Sequence, residues 1–157
     1  MKIAIAAEVC SSPLIKFIKD DLIKQGYEVL DLGMKTTKEP LFFYQTASIV
    51  AKAIQNGQAE RGILMCGTGM GVCICANKFK GVYAAVAESA TAAELHYVIN
   101  RANVLCLGKW IVGERVALDI VNRWLKAEIG AGFSEERRKV QAEGFQEIKK
   151  IENENFI

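Results

Sequence analysis

A chain of 157 residues suits one domain with a core of ordinary size, and 51% hydrophobic with 24% charged residues is a globular composition. A formal net charge of +2 argues against nucleic acid or an acidic membrane surface as partner, and no apolar run approaches the ~20 residues of a membrane span. Five cysteines and one histidine, with no CxxC pair, argue against a disulfide framework or a structural metal.

Strand-like and helix-like segments then alternate. Residues 2–7, KIAIAA, form a continuous apolar run, as a parallel strand covered on both faces requires. With one lysine and so short a run, residues 1–10 read as a first strand and not as a signal peptide, so the expected location is the cytoplasm. A helix is expected over 11–26, with Ser12 as N-cap, Pro13 at its first position and Gly26 as its stop. A second strand covers 27–33 and a second helix 39–57. RGILMC, 61–66, is the third strand, followed by a glycine turn into a helix ending near Lys80. Strands at 81–87 and 103–108 and helices at 90–100 and 113–130 complete the series.

This alternation predicts an α/β fold: a Rossmann-like three-layer sandwich around a five-stranded parallel sheet of order 2-1-3-4-5. Residues 1–132 make up that domain. Residues 133–157 continue as an extended C-terminal helix, where Val140, Gly144, Ile148 and Ile151 fall at helical spacing, a stripe that suits a dimer arm. Ligands of such sheets bind beyond the strand C-termini where the strand order reverses. The crevice therefore lies between the first and third strands, where Glu8 follows one strand and Cys66 ends the other.

Cys66 opens CGTGMG, with glycines at 67, 69 and 71. These let the backbone turn sharply and aim N–H groups into one concavity that holds negative charge, whether a phosphate or a developing oxyanion. No Gly-Lys-Ser/Thr follows, and G-x-G-x-G lacks the dinucleotide spacing. Such N–H groups favour a thiolate, which makes Cys66 a usable base. A core thiol beneath a structural glycine turn satisfies the composition equally well. Cys73, Cys75 and Cys106 read as packing residues, whereas Cys10 lies beside the crevice.

GILMCGTGMGVCICANKFKGVYAA, residues 62–85, resembles the central motif of the ribose-5-phosphate isomerase type B and galactose-6-phosphate isomerase family, roughly G-I-L-x-C-G-T-G-x-G-x-x-I-A-A-N-K-x-x-G-I-R-A. MKIAIAAE, GYEVLDLG and NRANVLCLG extend the likeness over nearly the whole chain. The resemblance implies a dimer or higher oligomer that interconverts aldose and ketose phosphates without metal or cofactor. It implies that Cys66 moves the proton between C1 and C2 and that Gly67, Thr68, Gly69 and Gly71 form the enediolate-stabilising loop, with Thr68 near the sugar hydroxyls. It further implies that Asn100 contacts substrate and that Arg137 contributes to phosphate binding across the dimer.

The departures from the family pattern are as informative. Glu8 and Val9 stand for Asp-His, Phe42, Phe43 and Tyr44 for Asp-Tyr-Pro, and Tyr83 for an arginine. The ring-opening histidine is Ile99, its neighbouring aspartate is Arg101, and Phe133 and Ser134 replace an Arg-His pair. His96, one helical turn before Ile99, is a partial candidate to replace the ring opener. The expectation is an isomerase acting through a cis-enediolate on a substrate that stays acyclic, with Glu8 as a hydroxyl ligand or second acid/base. The alternatives are a non-catalytic subunit beside a homologous partner chain, or a sugar-phosphate-binding module.

Overall fold

In the computed structural model, which describes residues 1–33 and 40–156, each apolar run becomes a parallel strand and each amphipathic stretch a helix. The order is β1 (Lys2–Ala7), a 3-10 turn (Val9–Ser11), α1 (Ser12–Lys24), β2 (Glu28–Asp31), α2 (Phe43–Gln55), β3 (Arg61–Cys66), α3 (Met70–Ala76), β4 (Ala84–Val86), α4 (Ala90–Val98), β5 (Val104–Gly108), α5 (Glu114–Lys126) and α6 (Glu135–Asn155). The α/β class and five-stranded parallel sheet match the expectation. Ser11 rather than Ser12 precedes α1 as its N-cap, and Gly26 ends it at φ +86°. Glu39, expected to open the second helix, and Ile157, the last residue of the expected arm, lie outside the described residues. No helix among the described residues is long and apolar enough to cross a membrane.

The strand order is β2-β1-β3-β5-β4, which corrects the expected 2-1-3-4-5 at its last two positions. All five residues of β5 are buried, as an interior strand requires, whereas the three residues of β4 are only half-buried and suit an edge. Crossover handedness gives the same answer. The steps β1 to β2 and β4 to β5 run one way along the sheet, so right-handed connections carry α1 and α4 to one face. The steps β2 to β3 and β3 to β4 run the other way and carry α2 and α3 to the opposite face. Accordingly α4 packs on α5, which also meets α1.

Alternation along the strands divides the core in two. Ile3, Ile5, Ile63, Met65, Leu105 and Leu107 face α1 and α5, against Leu14, Ile18, Ile120 and the fully buried Trp124. Ala4, Ala6, Leu64, Cys66, Val104 and Cys106 face α2 and α3, against Ala47, Val50, Val72 and Ala76.

Two polar residues organise the N-terminal edge of the sheet. Arg61, buried at the start of β3, lies 3.6 Å over the Tyr97 ring. It donates to the Trp124 carbonyl at 2.6 Å, placing its charge at the negative end of α5. Glu152 of α6 accepts from the Tyr83 hydroxyl at 3.0 Å and from the Gly81 N–H at 2.7 Å. Burial and then this bond push the Tyr83 phenol up to about 12. Phe145, buried edge-on against Tyr83, completes the inner face of α6. Along the Val140–Ile151 stripe, Val140, Ile148 and Ile151 are exposed, while Gly144 and Ile148 also line a small cavity with Ile99 and Asn100.

Candidate functional site

β1 and β3 are neighbours whose onward connections diverge, and at the C-terminal edge this leaves the crevice that parallel sheets use for ligands. β3 ends at Cys66, and α3 begins at Met70. Only three residues make the turn between them, so the backbone bends sharply: Gly69, the N-cap of α3, adopts φ +78°. A Cβ on Gly69 would stand 2.9 Å from the Leu107 carbonyl carbon, and one on Gly108 2.6 Å from the backbone of Thr68. The loop is thus pressed against the end of β5. The Lys109 N–H donates to the Cys66 carbonyl at 3.0 Å and the Trp110 N–H to the Gly67 carbonyl at 2.9 Å. Within the turn, the Gly69 N–H donates to the Cys66 sulfur at 3.2 Å, and the Thr68 hydroxyl accepts from the Met70 N–H at 3.3 Å.

Two aromatic rings flank the turn. A Cβ on Gly67 would lie 2.7–2.8 Å from three Trp110 ring carbons, and one on Gly71 3.0 Å from the Phe43 ring. Glycine at these two positions makes room for rings, while at Gly69 it also permits the left-handed backbone. Glu8 reaches the same edge because its N–H donates to the Met65 carbonyl at 2.9 Å. Its carboxylate accepts from the Cys10 thiol at 3.6 Å.

Cys66 is 4% exposed, at the outer end of the α2/α3 core. Behind it stand two more thiols. Fully buried Cys106 is pushed well above the usual thiol range by burial and by its hydrogen bond to Cys73. That bond is the main cause bringing the half-buried Cys73 down to about 7, with the Asn77 amide, 3.6 Å from its sulfur, among the lesser ones. The packing role expected for Cys73 thus comes with a lowered thiol pKa.

The structure gathers Cys66, Gly67, Thr68, Gly69, Gly71 and Glu8 at one edge. Asn100 and Arg137 lie elsewhere. α4 returns from the C-terminal edge to the start of β5, so Asn100 stands at the opposite edge of the sheet, lining a cavity of about 190 Å³ with Gln141 and Phe145. Arg137, exposed in the first turn of α6, is at that edge too, just after Gly130, whose N–H meets the Val98 carbonyl at the end of α4. His96 sits in the α1/α5 layer, across the sheet from the Cys66 side chain, and its Nδ1 has no partner among the described residues. Burial lowers its pKa. This position removes it as a substitute ring opener in its own chain.

Sequence reasoning missed Trp110 and the buried Arg61. The first had a legible signal, because a large aromatic two residues past a parallel strand falls at the ligand edge. The second had none, since a strand-opening arginine is more often solvated.

A family model described as Ribose/Galactose Isomerase matches residues 3–142. The chain is 38% identical over 152 residues to 4-deoxy-4-sulfo-D-erythrose isomerase of Clostridium sp. (strain MSTE9), covering 97% of this chain and 96% of that one. It is 37% identical to D-erythrulose-4-phosphate isomerase of Pectobacterium atrosepticum, covering 94% and 95%. The solved ribose-5-phosphate isomerase B of Clostridium thermocellum superposes with a TM-score of 0.88 at 39% identity, over 98% of this chain and 99% of the other. The motif, the parallel sheet and these likenesses agree: the chain belongs to the ribose/galactose isomerase family and is an aldose–ketose isomerase of the sugar-phosphate class.

Proposed function

We propose that this isomerase acts on an open-chain four-carbon sugar bearing a terminal phosphate or sulfonate, with Cys66 as the proton-transfer base. The observation that carries the reading is the Gly69 N–H directed at the Cys66 sulfur from a glycine turn at the C-terminal end of β3. The thiolate removes the C2 proton of the aldose, and the electron pair of that bond forms the C1–C2 double bond of a cis-enediolate. Loop N–H groups hold the charge developing on O1, with Thr68 beside the hydroxyls. Return of the proton to C1, with transfer of the O2 proton to O1, gives the ketose. Glu8 binds a hydroxyl or carries that oxygen-to-oxygen proton.

Ile99, where the resemblance puts a ring-opening histidine, supports the substrate class. A four-carbon sugar whose C4 carries phosphate or sulfonate has no free hydroxyl there to close a five-membered ring, so it needs no ring opener. Two relatives with coverage above 90% are named for four-carbon substrates. Asn100 and Arg137, at the opposite edge of the sheet, serve the loop of a second copy in a homodimer or tetramer, with Arg137 on the terminal anion. The Val140–Ile151 stripe of α6 is the arm of that assembly.

The test is solvent deuterium exchange. With four-carbon aldose and ketose 4-phosphates, deuterium enters C1 or C2 in the wild type and in Cys73→Ala. Cys66→Ala lowers the rate by at least about 100-fold. Equal exchange in Cys66→Ala, or none in the wild type, overturns the reading.

A further inference from the structure

The side of the Cys66 turn is closed by a residue that no part of the motif includes. Trp110 belongs to the turn after β5, and its position relative to the thiol is set by backbone. The carbonyls of Cys66 and Gly67 accept from the N–H groups of Lys109 and Trp110 at 3.0 and 2.9 Å. Its ring lies flat on Gly67, where three ring carbons would be 2.7–2.8 Å from an added Cβ. The Gly67 Cα is one backbone step, about 3.8 Å, from that of Cys66. Yet Trp110 is 73% exposed, so most of the indole beyond its seat on Gly67 is open. At the other end of the same turn the Phe43 ring lies against Gly71. A sugar with C1 and C2 at Cys66 has its remaining carbons within reach of these two rings, which offer apolar faces and one indole N–H.

We propose that Trp110 is a specificity-determining wall of the isomerase site, an indole face that accommodates a four-carbon chain and excludes longer sugar phosphates. The proposal rests on the reading that the Cys66 turn is the reacting centre. The backbone bonds fix where the Trp110 Cα stands, and the contact with Gly67 seats one face of its ring. Removing it opens space along the chain of the substrate and leaves the thiol and the Gly69 N–H untouched.

The chain has two tryptophans, and the other, Trp124, is wholly buried on the inner face of α5. A change in emission on ligand binding therefore reports on Trp110. The probe is 3-phospho-D-glycerate, whose carboxylate stands for C1, C2 and both oxygens of the enediolate of a four-carbon sugar 4-phosphate. In the wild type its binding, followed in parallel by calorimetry, shifts and quenches the emission saturably. In Trp110→Phe it binds with no change in the remaining Trp124 emission. In Trp110→Ala, the ratio of kcat/KM for five-carbon over four-carbon substrates rises at least about tenfold, with Trp110→Phe between. Calorimetric binding with no response from Trp110, or a ratio unchanged in Trp110→Ala, overturns the wall. Quenching without any deuterium exchange refutes the proton-transfer reading and leaves Trp110 as the wall of a binding site only; exchange in the wild type with no response from Trp110 refutes the wall alone.

Discussion

Replacing Gly69 by alanine separates two demands that the turn makes on one residue. Gly69 and Gly81 share a backbone φ of +78°, but an added Cβ at Gly81 meets nothing within 4 Å. At Gly69 it meets the Leu107 carbonyl carbon at 2.9 Å and the Gly108 nitrogen at 3.1 Å, both backbone atoms that cannot rotate aside. Both alanine variants therefore carry the left-handed strain, about 1–2 kcal/mol. Gly69→Ala adds the cost of overpacking a rigid contact, about 1–3 kcal/mol. With a urea slope of about 2 kcal/mol/M, Gly81→Ala lowers the unfolding midpoint by about 0.5–1 M and Gly69→Ala by about 1–2.5 M. Urea titrations followed by circular dichroism, at matched slopes, measure the difference. Equal midpoints in the two variants refute the argument that the turn is pressed onto the end of β5.

Burial lowers the His96 pKa below its ordinary value, so the unfolded chain takes up that proton first and stability falls as pH drops through about 6.5. His96→Gln should lose less stability than the wild type between pH 7.5 and 5.5 in urea titrations, and identical losses would remove His96 as the cause. Cys73, held near 7 mainly by the Cys106 thiol, should alkylate with a rate that rises through pH 6–8, read by mass spectrometry of its peptide. Cys106→Ala moves that midpoint upward; a wild-type midpoint near 9 contradicts the assigned hydrogen bond.

Much of the architecture was legible because it rests on local patterns. KIAIAA and RGILMC became β1 and β3, both with the expected bounds, and the glycines at 67–71 marked the turn that holds Cys66. The exchange of β4 and β5 was not legible. It depends on which face α4 covers, and the apolar residues of ATAAELHYV spread around the helix instead of choosing a side. The inner face of α6 was not legible either, for a related reason. A regular stripe at 140, 144, 148 and 151 is the conspicuous pattern, but single contacts of Phe145 and Glu152 with Tyr83 hold the helix. Within the site, the motif pointed to the thiol and its loop. The position of Trp110 just past β5 put it at the ligand edge, but its contact with Gly67, forty-three positions away in the chain, is reported by no local pattern.

The inward placement of β5 has a consequence for synthesis. When the ribosome has released residues 84–86, the neighbour they pair with, Val104–Cys106, has not yet been translated. A nascent chain halted after α4 carries three strands already able to assemble and a fourth with its N–H and C=O groups unclaimed. Only emergence of the next ten or so residues, through Gly108, closes the ladder, so a stall in that interval exposes a sticky segment to chaperones and proteases.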